Sequence, residues 1–162
     1  EIPPEIGNFR DLRFLNLRGN KLTTLPDSFG ACVSVEYLDL SHNQFVQFPP
    51  PLCRLERMQF LNFSNCKLLG LHDAVNGLAS LHTLRCERNS LMDVPSTVGK
   101  MPSLTYLDLR YNKIPELRSS FGEATNLTVL DCRHNNIIKV SPAVGTLTQL
   151  RLLGLAHNAI SK

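Results

Sequence analysis

Apolar residues recur along the chain with a single spacing. In the string LTYLDLRYNKI they fall at Leu104, Leu107, Leu109 and Ile114, with Asn112 between the last two. The same eleven-residue string begins at Leu12, Val35, Met58, Leu81, Leu104, Leu127 and Leu150, each start 23 residues after the one before. Within a string the alternation has period two, so the fourth and sixth positions point to one side and the third, fifth and seventh to the other. That pattern predicts a short strand in each unit. The ninth position is Asn20, Asn43, Asn89, Asn112, Asn135 and Asn158, with Cys66 in the remaining unit. An amide buried at this turn can satisfy a backbone N–H and a C=O together, so the pattern predicts a ladder of asparagines interrupted at Cys66.

Between strings runs a second segment, LPDSFGACVSV after Leu22 and VPSTVGKMPSL after Met92. Pro3, Pro26, Pro49 and Pro95 share one position in it, suited to the first residue of a helical turn, where a missing N–H costs nothing. Gly7, Gly30, Gly99, Gly122 and Gly145 close the turn. Ile6, Phe29, Leu52, Val75, Val98, Phe121 and Val144, each joined three residues later by a second core residue from Phe9 to Leu147, form one face of a helical or 3₁₀ turn. Two units depart from the pattern. The one from Met58 carries Phe63, Cys66, His72 and Asn76 at consensus positions, and the one from Leu104 carries Pro115 and Arg118, so local bends or altered tails are expected there.

Taken together, the string and its tail resemble leucine-rich repeats over the whole chain. The 23-residue length with a Leu-Pro-x-x-Ile/Phe-Gly tail is similar to the intracellular Ras-group class found in Scribble- and Erbin-type polarity scaffolds and in Roco GTPases. The resemblance implies an α/β solenoid, a leucine-rich-repeat horseshoe. About seven short parallel strands would line its concave face, with helical or 3₁₀ turns on the convex face. Each unit buries its apolar side only by stacking on the next, so residues 1–162 are read as one domain, with 1–11 as the tail of a preceding unit. Both ends fall inside a repeat and neither carries a polar cap, which predicts a piece of a longer protein with flanking domains.

Composition changes this picture little. A net charge of +3 and a pI near 8.7 do not by themselves predict nucleic-acid binding, and none is expected. No apolar run is long enough to span a bilayer, and no signal peptide opens the chain, so membrane insertion is not expected either. The five cysteines occupy core, tail or turn positions. Cys86 and Cys132 lie two repeats apart, roughly 10 Å, which exceeds the Cα separation of about 7 Å that a disulfide tolerates. All five are expected to be buried thiols in a reducing, cytoplasmic setting, and the paired-cysteine caps of secreted repeats are absent.

Because core, ladder and turn positions are committed to folding, function is expected at the outward strand positions. The third position reads Phe14, Tyr37, Phe60, Thr83, Tyr106, Val129 and Leu152, a column with four aromatics. Such residues dominate interface energetics, and they also stabilise a sheet simply by pairing across strands. The fifth position holds Asp39, Arg85, Asp108 and Asp131 among others, and the seventh Arg18, Glu87, Arg110 and Arg133. Counted over the outward and turn positions, the strand face carries ten basic residues against five acidic ones. These observations nominate Tyr37, Phe60, Arg85, Arg88, Tyr106, Arg110, Tyr111 and Arg133 as a concave surface for an acidic or mixed-charge protein partner. The pairs Asp108 with Arg110 and Asp131 with Arg133 are equally explained as local neutralisation, which contributes about 0–1 kcal/mol when exposed.

His42, His134 and His157 share the eighth position, and the last two belong to adjacent units, but no metal-ligand spacing accompanies them and no metal site is expected. No phosphate-binding glycine loop or nucleophile elbow occurs, and thiols in core positions are poor nucleophiles. The chain is therefore read as a non-catalytic interaction scaffold without a cofactor. The family resemblance implies small GTPases, phosphatase subunits, or polarity and cytoskeletal assemblies as partner classes. Two alternatives stay open: a regulatory segment of a larger signalling enzyme of Roco type, and a receptor ectodomain, for which capping cysteines and glycans would be expected.

Overall fold

A computed structural model describes residues 1–161 of the chain; Lys162, the end of the unit that begins at Leu150, lies outside the described residues. Seven three-residue strands form one parallel sheet: β1 Phe14–Asn16, β2 Tyr37–Asp39, β3 Phe60–Asn62, β4 Thr83–Arg85, β5 Tyr106–Asp108, β7 Val129–Asp131 and β9 Leu152–Gly154. Each pairs with the next in strict register, so Tyr37 lies beside Phe60 and Leu107 beside Leu130. The constant repeat length produces this: every strand begins at the same point in its unit, and equivalent residues share a row.

Opposite the sheet stand seven short 3₁₀ turns, from η1 Pro4–Asn8 to η7 Pro142–Thr146. The prolines predicted to open them fall one residue earlier, at the N-cap: Pro3, Pro26, Pro49 and Pro95 are extended there. Gly7, Gly99 and Gly122 are required by close approach, whereas a Cβ at Gly145 would meet nothing. A Cβ on Gly99 would strike the Ser120 carbonyl oxygen of the next unit, and one on Gly122 that of Ala143. Cys53 and, in the next unit, Asn76 stand where the other units have this glycine, and the turn stacked on Cys53, η4 Val75–Gly77, is the shortest of the seven, with Gly77 against the Cys53 carbonyl.

The core runs as a line between the two faces. Leu38, Leu61, Leu84, Leu107 and Leu130 are sealed from solvent, as are Phe29, Leu52, Val75 and Leu78 from the turn side. The equivalents at the ends are not: Leu15 is half-buried, Leu153 is 40% exposed and Phe9, expected in the core, is exposed. A core residue needs a unit on either side of it, and these have one.

The asparagine ladder forms as predicted except at Asn20, which is exposed and donates only to the Leu17 and Arg18 carbonyls of its own unit. Asn112 Oδ1 accepts from the Leu91 N–H at 2.9 Å, while its Nδ2 donates to the carbonyls of Cys86 at 2.9 Å and Leu109 at 3.0 Å. Asn43, Asn89, Asn135 and Asn158 repeat the arrangement in their own units. At the interruption, the Cys66 thiol donates to the Leu40 carbonyl at 3.4 Å.

The unit from Leu104 shows the expected altered tail, now as a second, two-stranded sheet: β6 Glu116–Leu117 beside β8 Lys139–Val140. Arg118 takes the extended conformation that proline has elsewhere and donates to Glu116 and Asp93, both at 3.0 Å. Among the described residues no helix is long and apolar enough to cross a membrane.

Candidate functional site

On the strand face the third-position side chains form a stack. Phe14 lies on Tyr37 with ring centroids 4.2 Å apart, and Tyr37 on Phe60 at 4.5 Å. Thr83 leaves a gap next in the column, and the Arg85 guanidinium fills it, 5.7 Å from the Phe60 ring centre and 5.6 Å from that of Tyr106. The predicted aromatic column is therefore continuous only through an arginine.

A second column runs along the turns. The eighth residue of each unit adopts the left-handed conformation: Gly19 in the first, then His42, Asn65, Arg88, Tyr111, His134 and His157, with φ from 54° to 57° for the six that carry a side chain. This geometry lays consecutive side chains over one another. Arg88 sits 4.5 Å over the Tyr111 ring, Tyr111 stacks on His134 at 4.2 Å and His134 on His157 at 4.1 Å. Partial burial, together with the neighbouring His157, Arg133 and Arg88 charges, moves His134 below the ordinary histidine value, against the pull of Asp131. Among the described residues no cluster of three metal-ligating side chains forms.

The fifth position corrects the sequence reading. Asp39, Asn62, Asp108 and Asp131 were expected to face outward, yet they are buried, Asp108 to 1% exposure. Their carboxylate or amide oxygens turn back and accept from the backbone N–H two residues on, at Ser41, Ser64, Arg110 and Arg133. They are turn-forming groups. Ser41 and Ser64 at the seventh position are buried as well. Arg85 and Gly154 have no acceptor to offer the turn, and the Arg85 side chain leaves for the exposed face.

The eight nominated residues thus fall into two sets. Arg110 and Arg133 are bound up with carboxylates. Arg110 is bidentate to Asp108, pairs with Glu87 and lies 3.6 Å from Asp131, while Arg133 grips Asp131 at 2.6 Å. The hydrogen bond that Arg110 donates to Asp108 leads the effects that hold the Arg110 pKa up. For Asp131, burial alone would raise the carboxyl pKa, but the hydrogen bonds and charge of Arg133 and the charge of Arg110 outweigh it and hold the group below its ordinary value. Tyr37, Phe60, Arg85, Arg88, Tyr106 and Tyr111 form the second set, contiguous along the two columns and free of carboxylate pairs among the described residues.

All five cysteines are free. Cys32, Cys86 and Cys132 are buried, but Cys53 and Cys66 are only half-buried, contrary to the expectation of five buried thiols. Desolvation raises each of them, Cys53 to about 11, so none is poised as a nucleophile at neutral pH.

One surface feature was missed. The residue after the string, the twelfth of the unit, is apolar in the five inner units and forms a ridge on the flank: Val46 is 44% exposed, Leu69 53%, Met92 61% and Ile138 62%. Pro115 continues it in the fifth unit, and a cleft of about 330 Å³ between Thr23, Val46, Phe48 and Pro50 opens beside it. The signal was present as a 23-residue recurrence one position beyond the string.

A stacked parallel sheet, an asparagine ladder and 3₁₀ turns repeating every 23 residues define a repeat solenoid. The chain belongs to the leucine-rich repeat family, whose pattern matches residues 2–45, 79–137 and 102–160. No curated protein sequence matches it. Among solved structures it is similar to TLR13 in complex with ssRNA13, at 28% identity and a TM-score of 0.87, over 98% of this chain and 23% of that one. It is also similar to PEPR1 in the PEPR1–AtPEP1 structure, at 25% identity and a TM-score of 0.84, over 97% of this chain and 23% of that one. A leucine-rich-repeat protein of Leptospira interrogans shares 24% identity over 97% of this chain and 52% of its own, with a TM-score of 0.71, a likeness of fold. The chain thus spans from about a quarter to about half the length of these relatives.

Proposed function

We propose that the chain is a non-catalytic protein-interaction scaffold that takes its partner on the strand face. The observation that carries this reading is the pair of side-chain columns, in which Tyr37, Phe60, Tyr106, Tyr111, Arg85 and Arg88 are fixed by stacking before any partner arrives. Aromatic and arginine residues held in one conformation lose little entropy on binding, which is what an interface anchor requires. Resemblance to the Ras-group class suggests a small GTPase, a phosphatase subunit, or a polarity or cytoskeletal assembly as the partner. The five free thiols favour a reducing, cytoplasmic setting.

A photoreactive benzoylphenylalanine placed at Phe60 should form protein adducts in cells, whereas the same probe at Lys100, on a 3₁₀ turn, should not. Adducts at Lys100 with none at Phe60 would place the partner on the convex side and end this reading.

A second reading, a docking segment within a larger signalling enzyme of Roco type, is favoured by the flank ridge of Val46, Leu69, Met92 and Ile138. Apolar recurrence of that kind suits a packed neighbouring domain. A receptor ectodomain predicts a glycan at the exposed sequon that begins at Asn126; the other sequon begins at Asn62, which is buried. Mass spectrometry of the protein from its native source that finds five free thiols and unmodified asparagines removes it.

A further inference from the structure

We propose that Arg85 and Arg88 form a two-point carboxylate-recognition site, and that the segment docking there is an acidic, extended stretch of the protein partner. This rests on the strand-face reading above and gives that face a chemistry. The strand face has a basic excess, but much of it is already spent within the fold: Arg110 and Arg133 are neutralised by Glu87, Asp108 and Asp131. Arg85 and Arg88 are not. Both are exposed, neither lies within ion-pair distance of a carboxylate among the described residues, and neither guanidinium donates a hydrogen bond there.

Their faces are nevertheless occupied, Arg85 between Phe60 and Tyr106 and Arg88 over Tyr111. A guanidinium stacked on a ring keeps its N–H edge available, and that edge is a planar fork matched to a carboxylate. Stacking therefore supplies orientation while leaving the donors unused. The acid beside Arg85 across the sheet, Asp108, is buried and held by Arg110, and Glu87, between the two arginines in the sequence, is paired with Arg110 as well. The two arginines lie three residues apart in one unit, on the strand and on its turn, so a segment crossing from sheet to turn meets both.

The test is a titration of the full chain, labelled with ¹⁵N, with a glutamate decapeptide, following arginine side-chain N–H and backbone resonances. Arg85 and Arg88 should move first, with the Tyr106 and Tyr111 amides. Arg85→Gln or Arg88→Gln should each weaken binding about fivefold and the double substitution by more than tenfold, with tenfold more salt having a similar effect. Arg151→Gln, on the same face at the far end, should change affinity less than twofold. Movement spread evenly over Arg18, Lys67, Arg85 and Arg151 would mean diffuse attraction and overturn the site. So would tighter binding of a thymidine decanucleotide than of the peptide, or unaltered affinity in the double variant. Failure of the peptide to bind, with benzoylphenylalanine at Phe60 still capturing protein, refutes the carboxylate site alone; loss of that capture refutes the strand-face reading itself.

Discussion

Asn112 shows how much a single side chain contributes to a repeat. It answers one buried N–H and two buried carbonyls from three different segments, so Asn112→Ala leaves the Leu91 N–H without an acceptor. The expected loss is about 2–3 kcal/mol in urea denaturation, the cost of orphaning buried backbone groups. Cys66 is the complementary case. The N–H groups of Asn43 and Phe45 lie against its sulfur, a weak acceptor, where the other units offer an amide oxygen. Cys66→Asn should therefore stabilise the chain by about 1 kcal/mol, and a melting temperature that falls instead would show that the amide does not fit. The ladder was readable from the sequence because an asparagine stands at the ninth position of six of the seven units. The inward turn of Asp108 and Asp131 was not, because alternation assigns a side to the Cα–Cβ bond and says nothing of a short carboxylate that bends back to its own backbone.

At the scale of the element, strands and turns owe their positions to neighbours as much as to their own residues. Gly99→Ala introduces a methyl group into the Ser120 carbonyl, and a shift of the turn stacked on it is the only relief. A loss of about 1–3 kcal/mol is expected, read by thermal melting, whereas Gly145→Ala, where a Cβ meets nothing, should be close to neutral. The column of Tyr111, His134 and His157 gives the fold a mild sensitivity to acid. His134 is held below its ordinary value, so the unfolded chain takes up this proton more readily than the folded one. Any such contribution is intact above the unfolded value near 6.5 and is lost as the pH falls below it towards the folded value. The His134 ring should titrate below a model histidine in NMR, and His157→Ala should move it back up. Seven strands and their turns could be placed from periodicity. The stacking in this second column could not, since it depends on the left-handed turn, which residue type alone does not reveal when His, Arg and Tyr replace glycine there.

For the whole molecule, stability is distributed along a line. Leu107→Ala removes a sealed side chain from the middle of the stack and should cost about 2–5 kcal/mol. Leu15→Ala, in a half-buried end strand, should cost about half as much, and amides of β1 and β9 should exchange with deuterium before those of β4 and β5. A uniform exchange profile would contradict a linear core. Repeat architecture was legible in the sequence because it is written seven times. The choice among nominated arginines was written once, in which carboxylates lie beside Arg110 and which rings lie beside Arg85.

The thinness of the turn side has a mechanical consequence. A solenoid bends when its two faces need different widths per unit. An α-helix needs roughly 10 Å, while a parallel strand needs about 4.8 Å. Here the outer layer is a 3₁₀ turn of three to five residues, narrow enough to bring Gly99 against Ser120 of the next unit. The mismatch that curls helix-backed solenoids is smaller here, which predicts a strand face that opens as a shallow wall rather than a cup. Such a wall meets a partner along its length, which suits a ribbon-like segment laid across successive units better than a ball gripped on two sides.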